Sequence, residues 1–127
     1  KSAKNDDLVS YNECDIPPLF LNSADPNKFL REWVYKYLKY PERALLDGTQ
    51  GRVMVDFVIE KDGKVTNAKV TRGVSEELDA EALKVVSASP KWKPGRVDGE
   101  KVRTSMTIPV EFRLEKKGAK PSFGIKK

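Results

Sequence analysis

Residues 102–117 read VRTSMTIPVEFRLEKK. Val102, Thr104, Met106, Ile108, Val110, Phe112 and Leu114 share one parity, and Arg103, Ser105, Thr107, Pro109, Glu111 and Arg113 the other. That alternation is the mark of a strand with one face buried. Pro109 in its middle has no N–H to give to a neighbouring ladder. A strand carrying it belongs at a sheet edge, with the proline nitrogen turned away from the partner. The expectation is an open outer edge. Native proteins blunt such edges with proline and charge, both present here. The same edge can receive an extended peptide as an added strand, with main-chain bonds supplying affinity and side-chain pockets supplying specificity.

Working outward, the period is again two from Gly51, with Val53, Val55, Phe57 and Ile59 on one face. The run stops at Lys61-Asp62-Gly63-Lys64, and Asp-Gly between two such runs predicts a hairpin. Val65 to Arg72 returns as its second strand. Val65 is out of phase with Ala68 and Val70, which predicts a bulge or late entry. Ser75 to Ala88 reads as a helix capped near Ser75, with Glu76, Glu77, Asp79 and Glu81 early and Lys84 late, an order suited to the helix dipole. Leu78, Ala82, Val85 and Val86 form its apolar stripe, and Pro90 stops it. The segment PKWKPGRVDGEKV then reads as a loop, with Trp92, flanked by Lys91 and Lys93, open to two readings: a binding aromatic or, favoured, a tryptophan re-entering the core beneath the loop. Upstream, Asp25-Pro26 supplies an N-cap and a first-turn proline for a helix carrying Phe29, Leu30, Trp33, Val34, Tyr37 and Leu38 on one side, ending before Pro41. Residues 1–24 show no sustained period and read as an extended linker. The predicted fold class is α+β: a small antiparallel sheet of about three strands, two helices on one face, and the last strand at an edge. The predicted division is a segment 1–24, a domain 25–115 and a basic flexible tail 116–127.

Composition narrows the chemistry. The chain of 127 residues has no histidine and one cysteine, and it shows neither a Gly-rich phosphate loop nor a metal-ligand spacing. Asp6/Asp7 and Glu76/Glu77 are adjacent carboxylates whose side chains diverge, which suits solvation better than acid–base work. No catalytic, cofactor-binding or metal-binding residue is predicted, and the chain reads as a non-enzyme. Cys14 cannot form an internal disulfide and reads as a free, exposed thiol. The net charge is +5, but residues 115–127 hold five lysines against one glutamate, so the basic character is concentrated in the tail. No zinc-finger or aromatic RNA-binding signature accompanies it, and no nucleic-acid partner is predicted. No apolar run approaches the roughly 20 residues that span a bilayer.

Tyr40-Pro41, GRVMVDFVIEKDGKVTNAKVTRG, LDAEALKVV, PKWKPG and IPVEFRL, in that order from about Leu38 to Leu114, together resemble the C-terminal domain of TonB proteins. Upstream, PPLFLNSADPNKFLREWVYKYLKYP resembles the longer form in Bacteroidetes-type energy transducers, except that Leu21-Asn22-Ser23 stands where Pro-Gly-Gly often follows the phenylalanine. The resemblance implies a periplasmic domain of an inner-membrane anchored protein, its transmembrane helix and linker lying outside this stretch. It implies two partners: a proton-motive-force-driven ExbB/ExbD complex acting on the anchor, and TonB-dependent outer-membrane transporters whose TonB box binds by strand addition. The partner-binding residues it carries over are Tyr40, Pro41 and Arg43 from the Tyr-Pro-x-Arg-Ala motif, and Thr107, Ile108, Val110, Glu111, Phe112, Arg113 and Leu114 from the receiving strand. Arg43 matches the arginine that pairs with acidic groups on the transporter. Contacts are expected on Val110 to Leu114 or in a ladder that skips Pro109. A monomer or a strand-exchanged dimer fits such an edge. Two other roles fit the residues: an interaction or dimerisation module appended to a membrane-anchored sensor or peptidase, and an envelope-polymer-binding domain using the basic tail.

Overall fold

The structure, a computed structural model, describes residues 8–114 and 121–122. The strands are β1 (Leu8–Ser10), β2 (Gly51–Ile59), β3 (Val65–Arg72), β4 (Gly95–Val97), β5 (Glu100–Leu114) and β6 (Pro121–Ser122). Helix α1 is built from an α-helical turn at Pro26–Phe29, a π-helical turn at Leu30–Val34 and an α-helical turn at Tyr35–Tyr37. Helix α2 spans Glu42–Asp47 and α3 spans Glu76–Ser87. The α+β class and the packing of α1 and α3 on one sheet face agree with the sequence reading.

The alternating residues of β5 do what their pattern demands. Val102, Thr104, Met106, Ile108, Val110 and Phe112 are buried, while every residue between them is partly or fully exposed. β5 pairs antiparallel with β2 in unbroken register from Gly51↔Phe112 to Ile59↔Thr104. β2 in turn pairs with β3, and here the register shifts at Asp56/Val58, opposite Thr66–Lys69 where the phase conflict predicted an irregularity, and also at Met54/Val55. At the hairpin, Gly63 has φ of +91°, and a Cβ there would stand 2.0 Å from the Trp92 carbonyl oxygen. Glycine is required because the Gly63 carbonyl accepts from the Trp92 N–H (2.9 Å), tying the next loop to the turn.

The sheet is larger than three strands, ordered β1-β5-β2-β3 with β4 and β6 also paired to β5. β1 is parallel to β5, Leu8↔Arg103 to Ser10↔Ser105. Residues 8–24 therefore lie docked on the sheet, with Val9 and Phe20 buried. At the chain reversal there, Leu21 (φ 51°) and Asn22 (φ 66°) adopt left-handed backbone between a mutually bonded Phe20 and Ser23. β4 occupies part of the segment read as a loop. Its turn residues Asp98 and Gly99 both have positive φ (52° and 84°), the geometry of a two-residue hairpin. Cys14 is half-buried rather than exposed: its Sγ lies 3.5 Å from Thr104 Oγ1 and 3.8 Å from the Ser10 carbonyl. The basic tail lies outside the described residues except for the backbone of Pro121 and Ser122.

Aromatic rings close the inner face. Trp92 is buried against Phe20, Phe29 and Phe57, with centroid separations of 5.3, 4.9 and 5.9 Å, and its Nε1–H donates to Ser89 Oγ (3.0 Å). Trp33 Nε1–H donates to the Val85 carbonyl (3.0 Å), fastening α1 to α3. Removing Phe29, fully buried at this junction, is expected to cost about 3–5 kcal/mol as Phe29→Ala, read from urea denaturation.

On the opposite face, Arg103 holds both oxygens of Glu60 (2.8 and 3.2 Å). That bidentate contact, outweighing partial burial, lowers the Glu60 pKa below its usual value near 4.5. A carboxylate whose folded pKa is depressed stabilises the fold above its unfolded pKa, and that contribution is lost as pH falls through the folded value. Glu60→Gln is therefore expected to flatten the loss of stability below about pH 4.5, measured as urea midpoints between pH 6 and 3.

Candidate functional site

Pro109 pairs opposite Met54 in the β2–β5 register. Which way its nitrogen faces follows from its neighbours. The Leu114 N–H donates to Gln50 Oε1 (2.8 Å), immediately before β2, so even-numbered residues of β5 direct their main-chain groups to the β2 side. The Glu111 N–H instead donates to Tyr35 Oη (3.1 Å). The odd-numbered residues, Pro109 included, thus direct theirs away from β2, and no β2–β5 bond is lost to the proline.

That outer edge is not open along its length. β1 covers it at Arg103–Ser105. At the other end Arg113↔Ser122 and Leu114↔Pro121 pair antiparallel. Since Pro121 has no N–H, the bonds run through Arg113 and Ser122, in the outward phase of Glu111. Among the described residues no strand covers Met106–Phe112, a stretch of about 23 Å at the usual strand rise. Within it the outward main-chain groups belong to Thr107, Pro109 and Glu111: three carbonyls and two amide N–H groups.

The side chains of the candidate residues divide by parity. Ile108, Val110 and Phe112 are 0–1% exposed, so their contribution at the edge is backbone shape. Thr107 and Glu111 lie on the solvent side, where Thr107 Oγ1 donates to Asp56 Oδ1. Glu111 is clasped between Arg52 and Arg113, at 3.1 Å to each. These pairs are substantially exposed and hold geometry more than stability. Leu114 is half-buried beside the core. Tyr40 is buried, its ring edge-on to Phe112 (5.4 Å, 88°), and its hydroxyl donates to the Thr49 carbonyl. Burial raises its pKa. Pro41 is the N-cap of α2, and Arg43 projects from that helix, 70% exposed, with a 3.9 Å contact to Asp47. Tyr40 thus ties the Arg43 helix to the far end of β5, bringing the two separated motifs into one region.

Tyr35 is the edge residue that sequence pattern did not identify. It stands half-buried just after the π-helical turn of α1, and burial is the main cause that raises its pKa. The phenol is therefore neutral at ordinary pH. A regular 3.6-residue period misplaces residues beyond a π-turn, and the turn has no sequence signal of its own. Among the described residues there is no grouping of three or more Cys, Asp or Glu able to hold a metal ion.

A sequence model of the family described as Gram-negative bacterial TonB protein C-terminal matches residues 36–114. Protein TonB of Haemophilus influenzae is 36% identical over 89 residues, 68% of this chain and 31% of that protein. Protein TonB of Xanthomonas campestris pv. campestris is 34% identical over 79 residues, 60% of this chain and 34% of that protein. The solution structure of the Helicobacter pylori TonB C-terminal domain superposes with a TM-score of 0.56 at 26% identity, covering 70% of this chain and 80% of that one. The chain spans about a third of the length of the curated relatives it matches.

If Pro109 guards the edge, Pro109→Val restores an outward N–H without touching the β2 ladder. The variant is expected to lose no more than about 1 kcal/mol of folding stability while self-associating more strongly. Urea denaturation and sedimentation velocity over a concentration series read the two effects separately.

Proposed function

Because this chain belongs to the family of TonB C-terminal domains, we propose that it couples an inner-membrane energy source to active uptake by gripping outer-membrane transporters at the outer edge of β5. The observation that carries this reading is the stretch Met106–Phe112, bounded by β1 and β6, whose outer edge no strand covers among the described residues. An extended segment such as the TonB box of a transporter would enter there as an added strand. Its main-chain partners would be Thr107, Pro109 and Glu111, with the ladder interrupted at the missing Pro109 N–H. A segment reaching Arg113 and Leu114 would meet β6 already in place.

The geometry suits transmission of force. A strand drawn along its own axis loads its ladder bonds together, whereas a hairpin pulled from one end opens them in turn. The unbroken β2–β5 register passes that load to the centre of the sheet. Arg43, exposed on α2, would meet acidic groups of the transporter and act chiefly on the encounter rate. In this proposal the domain is periplasmic, and an anchor outside this chain engages the ExbB/ExbD complex. The division into segment 1–24, domain 25–115 and tail 116–127 belongs to the same proposal, with part of the first segment packed on the domain, as does the Bacteroidetes-type affinity of the upstream region.

Titration with synthetic TonB-box peptides from outer-membrane transporters, followed by amide chemical shifts, is expected to perturb Ser105 to Leu114 and the neighbourhood of Arg43. Continuous ladder bonds through residue 109, or shifts confined elsewhere, would count against this docking mode. Arg43→Glu is expected to slow association and weaken its salt dependence while changing dissociation little.

A further inference from the structure

The outer edge of β5 is already engaged at the position where an added strand would need it most. Between β1 and β6 the outward phase contains Thr107, Pro109 and Glu111, and proline supplies no donor. Two amide N–H groups are thus available in that phase, and the Glu111 N–H is bonded to Tyr35 Oη at 3.1 Å. The phenol arrives from α1, directly after the π-helical turn Leu30–Val34. Around that turn, Trp33 reaches the Val85 carbonyl, Val34 is fully buried and Tyr35 reaches the strand edge. Three successive residues thus point to α3, to the core and to β5.

We propose that Tyr35 is a gate on the β5 edge: its hydroxyl occupies the Glu111 N–H, and an incoming peptide strand must displace it to complete the ladder. The inference rests on the strand-addition reading above. A phenol oxygen is a good local substitute for a peptide carbonyl, because it accepts one bond in line with the N–H and leaves the half-buried ring in place. The closed edge therefore has a satisfied donor and offers an invading strand one amide in place of two. Opening exchanges one hydrogen bond for another of similar strength, so its net free-energy cost is small and the exchange is reversible. Such a gate disfavours pairing with chance extended segments, including the same edge of a second copy. It yields to a peptide that recovers the exchange through contacts elsewhere along the edge.

The test is Tyr35→Phe, which keeps the ring and removes the hydroxyl, compared with wild type by amide hydrogen exchange and by titration with a TonB-box peptide. In the free proteins, the Glu111 amide is expected to exchange faster in Tyr35→Phe while Val110 and Phe112, bonded into the β2 ladder, are unchanged. The variant is expected to bind the peptide about three- to tenfold more tightly, the range set by the loss of one net hydrogen bond from the unbound state. Equal affinities, with peptide shifts still on Met106–Phe112, would overturn the gate and leave strand addition standing. Weaker binding by the variant would also overturn it, since Tyr35 would then be a contact that holds the peptide. Failure of the peptide to perturb this edge in either protein would remove the docking reading itself, and the gate with it.

Discussion

The antiparallel register between β2 and β5 is the constraint on which the rest of the molecule depends. Nine consecutive residue pairs, from Gly51↔Phe112 to Ile59↔Thr104, run without a shift. Because side chains alternate along a strand, that register sends Val53, Val55 and Phe57 to the same face as Ile108, Val110 and Phe112. A slip of one residue would expose the whole set. The same alternation fixes where each main-chain group points. Pro109, placed in the outward phase, removes nothing from the ladder that holds the domain together.

Everything else is arranged around that pair. β3, with its register shifts, extends the sheet on one side. On the other side β1 and β6 pair with the two ends of β5, at Arg103–Ser105 and at Arg113–Leu114. The helices and the Phe20, Phe29, Phe57 and Trp92 cluster close the inner face, and the Trp92 contact with Gly63 couples that cluster to the hairpin turn. Among the described residues, what remains uncovered is a bounded stretch of edge, with Tyr40 linking its far end to the helix that carries Arg43.

Edge strands are hazardous because their unpaired groups attract any extended chain. This domain limits the hazard by three different means along one strand. Short strands cover its ends, proline deletes the central donor, and a tyrosine hydroxyl satisfies the donor next to it. The outer side chains add Glu111 held between Arg52 and Arg113, a charged surface that an unselected apolar segment would have to desolvate. In the proposed docking mode, a surface protected in this way would accept only a strand that brings enough complementary contacts of its own.

Period-two alternation, the Asp62-Gly63 turn and the caps at Asp25 and Ser75 made the α+β class, the hairpin and two helices legible in sequence, because each rests on contacts within a few residues. The order of motifs from Tyr40 to Leu114 identified the family for the same reason. Asp98-Gly99 carried the same hairpin signal as Asp62-Gly63, yet the segment reads as a loop, because β4 before it has only three residues and no alternation of its own. Helix α2 had Pro41 before it and Gly48 (φ 71°) after it, but six residues leave little periodicity to detect. β1 and β6 were not legible, since strands of three and two residues have no pattern of their own and exist because β5 offers them bonds. Nor was Tyr35 legible as an edge residue: the π-helical turn before it and its partner 76 positions away are set by packing. The sequence by itself determined which strand has a face to bury and where it lacks a donor, since both are local properties of the chain. How much of that edge the described strands cover, and which side chain occupies one of its two remaining donors, was decided by the tertiary structure, because hydrogen bonds between distant segments depend on where folding brings them together.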